Sequence, residues 1–114
     1  MTREQIASMI ESIGVPYAFD HFGEKDGEHP QGPPFICFLY TDRSDFHADG
    51  VNYVHIVQLS IELYTDEPDF DLEAAVEAAL TAAELTFERP EQVFIDSERM
   101  YQTTYNTEVL LTDG

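Results

Sequence analysis

One histidine, His47 in DRSDFHAD, lies among Asp42, Asp45 and Asp49. Imidazole and carboxylate together bind divalent metals. The spacing matches no metal motif, and with 23 acidic residues in the chain such neighbours arise by chance. The plainer reading is a solvated turn, so no metal site is assigned. His55 lies on an apolar strand face and reads as a hydrogen-bonded core histidine, while His21 and His29 point to nothing.

Nucleophilic chemistry has no better footing. Cys37 sits in the middle of the apolar run FICFLYT, where burial disfavours the thiolate that a reactive cysteine needs. No serine occupies a G-x-S-x-G elbow, and GEKDGEHPQG has neither the lysine nor the spacing of a phosphate-binding loop. Paired carboxylates such as Asp69 and Asp71 are suited to acid–base work, but nothing singles out one pair among so many acids. The sequence therefore predicts a protein that is not an enzyme, with no catalytic, cofactor-binding or metal-binding residue.

The formal charge is −18, with five Lys and Arg against 23 Asp and Glu. Those cations (Arg3, Lys25, Arg43, Arg89 and Arg99) are scattered singly. Binding to a phosphate backbone needs them clustered, which argues against direct nucleic-acid binding. An acidic surface can repel DNA, imitate it or simply keep the protein soluble. The one cysteine excludes an internal disulfide and suits a reducing compartment. No apolar run approaches the ~20 residues of a membrane span, and a charged amphipathic segment stands where a signal peptide would be apolar.

The elements that would position any site follow from periodicity. In Tyr53–Tyr64, YVHIVQLSIELY, the odd positions are almost wholly apolar and the even positions turn polar halfway, as in a central strand with helices on one face only. Thr2 and Gln5 form a capping box before a helix with Ile6, Met9, Ile10 and Ile13 as its stripe; Gly14 can close it and Pro16 stops it. Tyr17–Phe22 reads as a short strand. Gly23–Pro34, rich in glycine, proline and charge, reads as a flexible arm that orders only against a partner. Asp69 or Asp71 can cap a second helix whose stripe is Leu72, Val76, Leu80 and Ala83. Thr86–Arg89 is a brief extended piece, Glu91–Ile95 a turn or strand, and Met100–Leu111 a long closing strand.

The expected architecture is one α+β domain over 1–114, in the order α-β-β-β-α-β-β, a mostly antiparallel twisted sheet with two helices on one face. The strand Phe35–Thr41 is apolar on both sides: Phe35, Cys37 and Leu39 on one, Ile36, Phe38 and Tyr40 on the other. Such a strand wants cover on both faces, and two helices on one side cannot supply it. The arm or another copy of the chain must do so, which predicts self-association. Ile36, Phe38, Tyr40, Tyr101 and Tyr105 are the candidate oligomer interface, tyrosine being suited to surfaces that need area with a polar tip. Asp42–Gly50 is expected to be a turn-rich connection.

The stretches VPYAFDHF, PPFICFLY, LSIELYTDEPDFDLEAAVEAAL and DSERMYQTTY, together covering most of the chain, resemble small tailed-phage and prophage proteins of Gram-positive hosts encoded among tail morphogenesis genes. These are minor tail, tail-completion or tail-terminator-like proteins. The resemblance implies a non-enzymatic structural subunit of the tail-terminator or head–tail joining type, forming a ring, commonly a hexamer, at the end of the tail tube. It implies partners among itself and other tail or head-completion proteins, and a location in the host cytoplasm during assembly and then in the virion tail. The negative charge would suit a channel through which DNA slides without sticking. The competing reading is an acidic DNA-mimic inhibitor of a host DNA-binding protein.

Overall fold

A computed structural model of the chain describes residues 1–19, 32–48, 51–90 and 92–112, with backbone alone for 42–48 and 51–54. Most of the expected arm, Gly23–Pro34, together with His21 and His29, lies outside the described residues, as do the side chains around His47.

Helix α1 spans Arg3–Glu11, and both halves of its capping box are made: Gln5 N donates to Thr2 Oγ1 at 3.1 Å and Thr2 N to Gln5 Oε1 at 2.9 Å. Ile6 and Ile10, one turn apart, are fully buried. Gly14 then adopts φ +97°, a left-handed conformation that residues with a side chain resist, and the chain turns into β1 (Tyr17–Phe19). Strand β1 runs parallel to β2 (Phe35–Ala48), which pairs antiparallel with β3 (Val51–Thr65). Helix α2, Phe70–Ala82, starts at Asp69, whose carboxylate accepts from Leu72 N at 3.0 Å. Strands β4 (Phe87–Glu88) and β5 (Gln92–Ile95) follow, and β6 (Met100–Leu111) returns through the middle of the sheet.

The spatial order is β1-β2-β3-β6-β4, with β5 also on β6 beside β4. All pairings but β1–β2 are antiparallel, so the fold is α+β with a mixed, mainly antiparallel sheet. The observed order adds one short strand to the expected one, because Phe87–Glu88 and Gln92–Ile95 each find β6 as partner.

Both helices lie on the same face. Ile6 and Ile10 of α1 and Val76 and Leu80 of α2 share one core with Val57, Leu59, Ile61 and Leu63, the odd positions of β3. Register then assigns every neighbouring strand: Ile36 and Phe38 of β2 oppose Leu63 and Ile61, and Tyr105 and Val109 of β6 oppose Ile61 and Val57. Burying each such side chain contributes about 1.5–3 kcal/mol.

One boundary differs from expectation. Strand β2 runs on to Ala48 instead of ending near Thr41, passing a register shift between Tyr40 and Arg43 and another between Phe46 and His47. The turn-forming residues of 42–48 are outweighed by a ladder to β3, with bulges absorbing the irregularity. The β2–β3 ribbon therefore extends past His55, where β3 makes its last pairing with β6.

Candidate functional site

Among the described residues the helix face of the sheet contains one buried charge. Glu73 lies on the inner stripe of α2 with Val76 and Leu80, and is 3% exposed. An isolated carboxylate there would cost several kcal/mol. Its carboxylate is matched instead by two groups, Arg89 just after β4 and Gln92 on β5. Arg89 Nη2 stands 2.6 Å from Glu73 Oε1, a charge contact out of line for a directed hydrogen bond. Gln92 Nε2 donates to Glu73 Oε2 at 3.1 Å and to Thr103 Oγ1 at 2.7 Å. The Tyr105 hydroxyl donates to Glu77 Oε2 at 3.0 Å, and Arg89 Nη1 stands 3.9 Å from that same oxygen.

Burial, then the hydrogen bond to Glu77, push the Tyr105 phenol well above its ordinary pKa, so it stays protonated and keeps donating. Tyr64, on the opposite face, is also raised, first by burial and then by Glu62, to which its hydroxyl donates at 3.2 Å. Neither phenol is poised to exchange protons near neutrality. The Glu73–Glu77–Arg89–Gln92–Thr103–Tyr105 cluster is a clamp that fastens α2 to β5 and β6. Among the described residues no group of three or more His, Cys, Asp or Glu is placed to hold a metal ion. No helix among them is long and apolar enough to cross a membrane.

The five residues named for an oligomer interface all lie on the helix side. Ile36 and Tyr105 have no exposed surface and Phe38 is 5% exposed, so these three belong to the chain's own core and not to its surface. A doubly apolar strand has two equivalent stripes in sequence, and pairing with the odd face of β3 is what directs Ile36 and Phe38 under the helices. Tyr40 and Tyr101 are half-buried and keep some surface. Each packs on an exposed phenylalanine: Phe19, 55% exposed, has its ring 5.4 Å from that of Tyr40, and Phe94, 43% exposed, lies 5.0 Å from Tyr101. These two aromatic pairs sit at opposite edges of the sheet, on β1–β2 and on β5–β6. Neither Phe19 nor Phe94 is among the interface residues expected from the sequence; the usable signal was an aromatic within each short edge strand.

The other sheet face has a polar middle. Ser60 Oγ donates to Asn106 Oδ1 at 2.7 Å, and Gln102 Nε2 donates to the Tyr64 hydroxyl at 3.1 Å. At one end Phe35, Cys37 and Met100 form a small buried cluster with Tyr64, whose ring stacks on Phe35 at 4.7 Å. Leu110, 51% exposed, and Val93, 40% exposed, are its bare apolar residues, assigned to this face by their pairing with Ile56 and Gln102. No protein-family model matches this chain, nor does any curated protein.

Proposed function

We propose that this chain is a structural subunit of a phage or prophage tail, of the tail-terminator or head–tail joining type, whose copies associate edge to edge into a ring. The observation that carries the reading is the pair of unlike aromatic patches, Phe19–Tyr40 and Phe94–Tyr101, at opposite edges of one sheet. A contact between two different patches is heterologous, and where the rotation it repeats closes on itself the product is a ring. The β2–β3 ribbon beyond His55 agrees with this, since among the described residues no third strand pairs with it there, and two strands alone are marginally stable in water and gain from a partner. The resemblance to tail-completion proteins supplies the setting.

The acidic DNA-mimic reading has less support. Among the described residues the exposed acids gather at 66–71 (Asp66, Glu67, Asp69 and Asp71) and otherwise stand apart on α1, after α2 and along the sheet (Glu4, Glu11, Glu84, Glu88, Asp96, Glu98 and Glu108), which is not the pair of rows on one face that a DNA mimic needs.

Solution mass over a concentration series, with binding to purified tail tubes, tests the proposal. The parent chain is expected to form a discrete oligomer, and Phe19→Lys and Phe94→Lys each to reduce it to monomer. Mixing the two variants restores a dimer, because each retains the patch that the other lacks. A strict monomer at the highest soluble concentration that ignores tail tubes would overturn the reading.

A further inference from the structure

The connection from β3 to α2 encloses an open concavity of about 580 Å³. Thr65, Asp66, Glu67, Asp69, Phe70 and Asp71 are among the residues that line it. We propose that this bowl docks an arginine-bearing segment of another protein.

The carboxylates exceed what the fold consumes. Asp69 caps α2, and Asp71 lies in the helix's first turn, where a negative charge complements the N-terminal dipole. That dipole amounts to about half a positive charge, so Asp66 and Glu67 are surplus. No lysine or arginine among the described residues pairs with Asp66, Glu67 or Asp71.

Thr65 is an independent sign. It is 4% exposed, and its hydroxyl has no hydrogen-bond partner among the described residues. Buried hydroxyls are ordinarily satisfied, and a donor group entering the bowl would satisfy this one. Phe70 is 78% exposed, the most of any large apolar side chain among the described residues, and stands beside these acids. An aromatic face next to carboxylates suits a guanidinium, which stacks on the ring while its planar fork serves two acceptors.

A second copy is a poor occupant. The chain has five cations against 23 acids, and Arg89 is already engaged by Glu73 and Glu77. A metal ion is disfavoured too, since no three ligating side chains converge among the described residues. A basic partner remains.

The test uses the full chain and a fluorescein-labelled Gly-Arg-Leu-Arg-Gly peptide, read by anisotropy, with its lysine counterpart alongside. Asp66→Asn with Glu67→Gln should weaken binding by about tenfold, while Glu4→Gln with Glu11→Gln, the same charge change on α1, should cost under about twofold. Thr65→Val and Phe70→Ala should each weaken it by about threefold or more, with unchanged circular dichroism. Equal losses from the two charge pairs, or full binding by both Thr65→Val and Phe70→Ala, would reduce the effect to bulk charge and overturn the proposal. So would equal affinity for the lysine peptide, or no binding at all. Since a monomer serves as well as an oligomer, the result does not depend on ring formation.

Discussion

Arg89 closes to 2.6 Å on Glu73, joining the residue after β4 to a carboxylate that α2 has turned inward. Removing the cation leaves that charge buried with only Gln92 for company. Arg89→Met should therefore destabilise the fold by about 3 kcal/mol, toward the lower end for a broken buried pair because the arginine itself is partly exposed. The double variant Glu73→Leu, Arg89→Met should recover most of the loss. Urea unfolding of the two variants and the parent checks both outcomes; an Arg89→Met protein as stable as the parent would show that the pair adds nothing.

Tyr105 makes the stability of the protein sensitive to alkali. The unfolded chain loses its phenolic protons near the ordinary value of about 10, whereas the folded state holds the Tyr105 proton to higher pH. Folding then retains protons that unfolding releases, so stability is flat below about pH 10 and declines above it. Tyr105→Phe forfeits the bond to Glu77 and should cost about 1 kcal/mol at neutral pH. The gap between parent and variant should narrow above about pH 10, by up to about 1.4 kcal/mol per pH unit. Urea midpoints measured on both proteins across that range give the comparison, and parallel curves would contradict it.

Glu84 closes α2 in a conformation made for glycine. Its φ is +60°, with Leu85 N donating back to Leu80 O at 3.0 Å and Glu84 N to Thr81 O at 2.9 Å. A side chain in that left-handed position costs about 1 kcal/mol. Glu84→Gly should raise stability by about 0.5–1 kcal/mol despite the added freedom of the unfolded chain. A rise in thermal midpoint is the expected readout, and a fall would mean that the glutamate side chain makes a compensating contact.

Local chemistry was legible wherever one residue type decides a local geometry. Thr2 with Gln5 and Gly14 marked the ends of α1, and the pair Asp69 and Asp71 the start of α2, because capping involves neighbours a few residues apart; the structure chose Asp69. The odd face of Tyr53–Tyr64 marked the core side because a period of two separates apolar from polar residues there. Glu73 was legible in principle, as a carboxylate on the Val76–Leu80 stripe in a chain with few cations to match it.

Other features depended on contacts between segments distant in sequence. Phe35–Tyr40 is apolar on both stripes, so its own residues could not choose which stripe meets the helices; pairing with β3 chose Ile36 and Phe38. The turn-forming residues of 42–48 argued for a loop, and the β3 ladder made them strand. By itself, then, the sequence determined the acidic α+β character of the chain, its helix ends and the buried side of its central strand, since these rest on composition and short-range periodicity. Only the tertiary structure decided which aromatics stay at the sheet edges and which carboxylate meets Arg89, because strand register and the docking of α2 bring those side chains together across long stretches of chain.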